Sequence, residues 1–248
     1  MFNNLRIVLV QPSHPGNIGA VARAMKVMGL QNLYLVQPKI FPDPKANMMA
    51  CGADDVLNHA KVFDDFHQAI EDCHLIIGTT ARDRTLAWTT FTPKEAMPKI
   101  LAETQLHQTA ILFGCEQWGL TNEQLACCHY RIAIPTDENF SSLNLAAAVQ
   151  VICYELRASY LAGLDAVEKK LEKPADGQQV ASFYERLEKL LIEVEFLHPD
   201  HPKLLMRRLK RLFNRVRLEE VEVNILQGIV SAVNEYIGKR EKFRRDKS

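Results

Sequence analysis

The stretch Ile132-Ala133-Ile134-Pro135-Thr136-Asp137-Glu138-Asn139-Phe140-Ser141-Ser142-Leu143-Asn144-Leu145-Ala146 constrains this chain more than any other. It reads as a short apolar strand, a polar loop opened by a proline, and an abrupt entry into a long helix. Ser141 or Ser142 suits the N-cap, because a hydroxyl accepts from an unpaired N–H of the first turn. The helix expected to follow, Leu143 to Leu161, is apolar on nearly every side as far as Cys153. Its few polar residues (Asn144, Gln150, Glu155, Arg157) make no full solvated face, so it must be buried in a core or against a partner subunit. A loop bearing serine and asparagine, held between two such elements, is a favoured place for a small-molecule site.

The segments upstream follow a repeating order. Leu5–Val10 is a β-branched run of the kind covered on both faces in a parallel sheet. A loop with Pro12, Pro15 and Gly16 leads to an amphipathic helix from Ile18, closed near Gly29. Further strands are expected at Leu33–Val36, Cys73–Gly78, Thr109–Gly114 and Arg131–Ile134. Helices are expected at 47–51, after Phe63–Phe66 up to Asp72, at Pro93–Leu106, and at Thr121–Ala126 with Thr121 as cap. Strands alternating with helices predict an α/β domain with a mainly parallel sheet, residues 1–162.

From 163 to 179 the composition turns to charged residues with a proline and a glycine, read as a linker. Three helices are then expected, at Val180–Phe196, Pro202–Val216 and Leu218–Ile237, in a small helical domain of residues 180–248. In the middle one, Leu205, Leu209, Leu212, Phe213 and Val216 form one stripe. Lys203, Arg207, Arg208, Lys210, Arg211, Arg215 and Arg217 occupy the remainder, with no acid among them. The chain has 30 basic and 30 acidic residues, but the balance is −3 over residues 1–162 and +3 over 163–248. A polyanion would therefore be met by the second part.

No apolar run approaches the ~18 residues of a membrane span. The N-terminus lacks a signal pattern, so a cytoplasmic protein without a membrane contact is expected. The six cysteines (51, 73, 115, 127, 128 and 153) contain no CxxC, which suits neither disulfides nor a metal site.

Three loops at the carboxyl ends of strands hold the unusual residues, where open α/β sheets place ligands. The first is Asn17-Ile-Gly19-Ala-Val-Ala-Arg23. The second is Phe113-Gly114-Cys115-Glu116-Gln117-Trp118-Gly119-Leu120. The third is Ser141-Ser142-Leu143-Asn144. None meets the GxGxxG pattern of a dinucleotide site. In this order and spacing they resemble the SPOUT superfamily of RNA methyltransferases, and within it the TrmH-type 2′-O-ribose methyltransferases. The resemblance covers residues 5–161. The basic helical extension is similar to that of members acting on the anticodon loop of tRNA.

The resemblance implies an α/β trefoil-knot fold, a homodimer, and S-adenosylmethionine bound in the three loops. Its contacts would come from Thr79, Thr80 and Ala81, from Gly114 and Gly119, and from Ile134, Ser141, Ser142 and Leu143. It also implies Arg23, Asn17, Ser142 and Asn144 as the catalytic group. RNA would meet His14, Arg82 and Arg84, together with Arg207, Arg208, Lys210, Arg211 and Arg215 of the extension. Cys115 and Gln117 stand where similar proteins often carry arginine. The expected reaction is 2′-O-methylation of cytidine or uridine at tRNA position 32. The alternatives are another RNA site (a wobble nucleotide or ribosomal RNA) and a non-catalytic RNA-binding protein of the same fold.

Overall fold

The computed structural model describes residues 2–81, 89–163, 173–199 and 204–245, in two compact units, residues 1–170 and 171–248. The first unit runs β1 (Leu5–Val10), α1 (Pro15–Met28), β2 (Asn32–Val36), α2 (Pro44–Ala50), α3 (Asp54–Asn58), β3 (Lys61–Phe63) and β4 (Leu75–Thr79). It continues with β5 (Thr90–Phe91), α4 (Pro93–Leu106), β6 (Thr109–Phe113), α5 (Asn122–Ala126), β7 (Tyr130–Ile132) and α6 (Leu145–Leu161). The described strands form one seven-stranded sheet in the order β3-β2-β1-β6-β4-β7-β5, with every pairing parallel.

Side chains of successive strand residues point to opposite faces, and the core divides accordingly. Ile7, Leu9, Leu33, Leu35, Leu75, Ile77, Ile111 and Phe113 face one layer with residues of α1, α4 and α6. Val8, Val10, Val36, Ile76, Ala110 and Leu112 face the other, with Ala69, Ile70, Leu125 and Cys128. Arg6 is the charged member of β1. It lies under Tyr34 and donates to both Asp72 carboxylate oxygens, at 2.6 and 2.7 Å, and to Gln108 Oε1 at 2.9 Å. A buried guanidinium is tolerable only with its donors taken up in this way.

Several elements differ from expectation. The first helix starts at Pro15 rather than Ile18, because Pro at the first turn needs no N–H partner. Residues 64–72 are turns, not a helix. α3, β3 and β5 were not expected; the two strands are three and two residues long and exist through pairing with β2 and β7. The long helix starts at Leu145, and its cap is Asn144 rather than either serine: Asn144 Oδ1 accepts from Ala146 N at 2.9 Å and Ala147 N at 3.4 Å.

The second unit holds α7 (Gly177–Glu193), α8 (Leu205–Val216) and α9 (Glu220–Arg245). Asp176 and Gln179 cap α7 reciprocally. Phe183, Tyr184, Leu190, Val223 and Val230 form its core, with Phe213 of α8 packed on the Phe183 ring. The Tyr184 hydroxyl donates to Asn214 Oδ1 at 2.6 Å. The expected α8 stripe is only partly used, since Leu212 and Val216 remain exposed.

Candidate active site

Because β6, β4 and β7 are neighbours in the sheet, the loops after them converge although they are far apart in sequence. Between them is a cleft of about 830 Å³ of empty space, including solvent at its mouth. The end of β4 and the loop after it supply Thr79, Thr80 and Ala81; the loop after β6 supplies Gly114 and Gly119; the loop after β7 supplies Ile134, Ser141, Ser142 and Leu143. The structure thus brings all nine residues assigned to the cofactor to one cleft. Phe113, Leu120, Ile132, Leu145 and Ala148 add apolar wall.

The walls are fixed by backbone geometry. The Thr79 hydroxyl donates to Leu112 O at 2.8 Å and Thr80 N donates to Ile132 O at 3.0 Å, tying the first loop to both neighbouring strands. The second loop folds back so tightly that a Cβ on Gly114 would lie 2.0 Å from Gly119 C and 2.1 Å from Leu120 N. Only glycine permits that approach. Gly19 of α1 has a comparable reason: its Cβ would sit 1.9 Å from Ala46 O, so it lets α2 press on α1 rather than touching a ligand.

Glu116 was quoted in the sequence motif without a role, and the structure gives it one. Its carboxylate accepts from Ser13 N at 2.9 Å, Ser13 Oγ at 2.6 Å, and Asn17 Nδ2 at 2.8 Å. Partial burial raises its pKa, but the bonds from Ser13 and Asn17 outweigh this and hold it at about 2. A permanent anion sits just ahead of the α1 N-terminus, where the helix dipole favours it. It is the single charged group among the described residues lining the cleft.

The relay continues. An ionised carboxylate only accepts, so Asn17 must turn its amide nitrogen to Glu116 and its oxygen away. That oxygen accepts from Asn144 Nδ2 at 3.1 Å. Asn144 then presents its own oxygen to the α6 backbone N–H groups. Both amide orientations are determined from both ends. No sequence signal could have shown this, because the partners are 99 and 127 residues apart.

Arg23 is exposed on α1, does not line the cleft, and has no hydrogen bond or ion pair within the described residues. Its guanidinium is open to a substrate. His14 is the exposed N-cap of α1, its N–H 3.4 Å from Glu116 Oε1. Arg82 and Arg84 lie outside the described residues. In the second unit Arg208 and Arg215 are exposed, Arg207, Lys210 and Arg211 half-buried, and Lys210 Nζ lies 5.7 Å from the Tyr184 ring centre. Among the described residues, no group of three or more His, Cys, Asp or Glu is placed to hold a metal ion, and no helix is long and apolar enough to cross a membrane.

The model of the SpoU rRNA Methylase family matches residues 4–154, the whole of the cleft-bearing sheet. The chain belongs to that family. Beyond this SpoU region, the model of the C-terminal domain of the tRNA methyltransferase TrmJ matches residues 178–246. A tRNA (cytidine/uridine-2′-O-)-methyltransferase TrmJ of Photorhabdus laumondii is 46% identical over 242 residues, 96% of this chain and 100% of the relative. The crystal structure of TrmJ from Z. mobilis ZM4 is similar with a TM-score of 0.83 at 32% identity, covering 92% of this chain and 98% of that one. A probable methylase family protein from Haemophilus influenzae is 43% identical with a TM-score of 0.64, covering 97% and 100%.

Proposed function

We propose that this chain is an S-adenosylmethionine-dependent tRNA methyltransferase acting on the ribose 2′-hydroxyl of cytidine or uridine at position 32, at the start of the anticodon loop. The observation that carries the reading is the convergence of the loops after β4, β6 and β7 on one cleft beside an asparagine–carboxylate relay. The names of its full-length relatives support the tRNA substrate and both pyrimidines. We further propose the trefoil knot, a homodimer, and a cytoplasmic location, as the family resemblance implies.

The cleft suits S-adenosylmethionine in its donor set. Its walls combine apolar side chains with main-chain groups and the hydroxyls of Thr79, Thr80, Ser141 and Ser142, fit for a nucleoside, and the one charge among its described lining residues is an anion, fit for a cationic sulfonium. Thr79–Ala81, Gly114, Gly119, Ile134, Ser141, Ser142 and Leu143 would hold it. When bound, it supplies a methyl group on a sulfonium, whose departure as a neutral thioether needs no acid catalysis. The protein's task is alignment of the ribose hydroxyl and help with its proton.

Arg23 stays protonated and so does not act as a base. It clamps the neighbouring phosphate and stabilises the oxyanion as the hydroxyl proton leaves. The proton passes to a phosphate oxygen, directly or through the exposed Ser142 hydroxyl, which accepts it while handing its own proton on to the phosphate. Asn17 and Asn144 are committed to each other and hold the α1 and α6 ends in register. His14, Arg82, Arg84 and the α8 cations would contact RNA.

The test is methyl transfer from labelled S-adenosylmethionine to tRNA lacking the modification, followed by nuclease mapping. Label in a 2′-O-methylpyrimidine at position 32 is expected. Arg23→Ala should lower kcat by about 10²–10³-fold, as loss of an oxyanion-stabilising group does, with cofactor affinity unchanged. Label at another nucleotide would overturn the substrate assignment. Absence of cofactor binding would overturn the enzyme reading.

A further inference from the structure

Two of the loops that wall the cleft hold an exposed aromatic ring at its rim. Trp118, in the loop after β6, is 70% exposed and is itself a lining residue. It belongs to a closed turn: Gly119 N donates to Cys115 O at 2.9 Å, and Gly119, at φ +69°, takes the left-handed backbone that brings the chain back. Phe140, in the loop after β7, is 80% exposed. It ends a second turn, in which Phe140 N donates to Asp137 O at 3.2 Å and Asn139 N to Asp137 Oδ1 at 2.9 Å. Thr136 and Ser141, on either side of that turn, both line the cleft.

A single exposed apolar side chain needs no explanation; the charges around these two call for one. From Phe113 to Leu120 and from Ala133 to Ala148 there is no lysine or arginine, while Glu116, Asp137 and Glu138 are acidic. These loops repel a phosphate, and what they present to a nucleic acid is flat rings. The phosphate is left to the exposed Arg23 of α1. We propose that Trp118 is the platform on which the target pyrimidine stacks when its ribose enters the cleft. The base and the 2′-hydroxyl are borne by adjacent carbons of one sugar, so a hydroxyl brought into this cleft carries its base to the rim. A loop base drawn out of its stack loses contacts that an indole face restores. Stacking asks only for a π face and so takes cytosine and uracil alike, whereas hydrogen bonds to their differing edges would separate them. Phe140 is not a lining residue, so Trp118 is the ring in reach of the nucleoside. This inference rests on the ribose methylation proposed above and adds to it the group that holds the base.

The experiment uses the full chain, labelled S-adenosylmethionine and tRNA lacking the modification. Trp118→Leu keeps apolar bulk and removes the π face; Trp118→Phe keeps a face. The KM for tRNA should rise about 5- to 150-fold in Trp118→Leu, the range for loss of one stacked base, and stay near wild type in Trp118→Phe. The effect should fall on KM rather than kcat, because the ring holds the base in ground and transition states alike. It should be the same at low and high salt, since stacking releases no counterions. Calorimetric affinity for S-adenosylmethionine and the mass in solution should match wild type. The deciding substrate is tRNA with an abasic ribose at the nucleotide that wild type labels: wild type and Trp118→Leu should bind it equally. Equal affinity of the two chains for intact tRNA overturns the proposal. So does a loss of the same size on the abasic tRNA, the result of a merely distorted cleft. Weaker S-adenosylmethionine binding by Trp118→Leu would make the ring a cofactor contact, and an altered mass would make it a contact between copies; either overturns the proposal. Wild type that labels tRNA while Trp118→Leu does so with unchanged KM overturns this proposal alone. Wild type that labels no tRNA overturns the methylation reading along with it.

Discussion

The side-chain nitrogen of Asn144 donates to Asn17 Oδ1 at 3.1 Å, joining the cap of α6 to the first turn of α1. The two asparagines are thus one device with two separable duties: Asn144 caps the start of α6 and also bridges to its neighbour.

Substitution at Asn144 should separate these duties. Asn144→Ala removes the cap and should cost about 0.5–2 kcal/mol of stability by denaturant titration. Asn144→Ser keeps an effective cap, so its stability should stay near wild type. Both variants lose the bridge to Asn17 and should lose methyl transfer. Full activity in Asn144→Ser would show the bridge to be dispensable.

Glu116 predicts an acid-sensitive fold. Its carboxyl stands near 4.5 when unfolded and about 2 when folded. A lowered pKa stabilises above the unfolded value, and that contribution is lost as pH falls from about 4.5 towards 2. Urea midpoints should therefore drop across this window in wild type and less in Glu116→Gln. Above it the two curves should run parallel, with the variant lower. Cofactor affinity should fall in the variant too, because an amide in place of the carboxylate turns a donor towards Ser13 N or Asn17 Nδ2.

The sequence showed much of the frame. β1 and α4 lie where their patterns put them, since one is fully buried on both faces and the other has a Thr92–Glu95 capping box. The start of α6 was less legible: Ser141, Ser142 and Asn144 are all good caps, and only Asn17 in space selects the third. Glu116 was visible as a letter in a motif, while its partners Ser13 and Asn17 lie about a hundred residues earlier. β3 and β5 are too short to carry a period, and their neighbours make them strands.

Gly114→Ala tests the tight loop. The added methyl would overlap the backbone of Gly119 and Leu120, so the loop must shift. Overpacking of this kind costs about 1–3 kcal/mol. Cofactor affinity, measured by calorimetry, should fall further than stability accounts for, because the displaced backbone is cleft wall. Unchanged affinity would remove Gly114 from the binding surface.

Arg208 and Arg215, the exposed cations of α8, should govern the salt dependence of tRNA binding. Each phosphate contact contributes about 0.7–0.9 to the log–log slope. Arg208→Gln with Arg215→Gln should flatten the slope by about twice that and leave S-adenosylmethionine binding unchanged. An unaltered slope would place the RNA on another face.

The order in which these parts leave the ribosome has a consequence of its own. Ser13 and Asn17 are synthesised early, Glu116 about a hundred residues later, and Asn144 later still. Contacts so distant along the chain close slowly. A nascent or truncated polypeptide ending before Ile134 can pair β1 with β2, yet it lacks the third wall and the Asn17–Asn144 bond that completes the relay. Capture of the methyl donor is therefore a late event in the life of each molecule, and an incomplete chain has nothing with which to modify RNA.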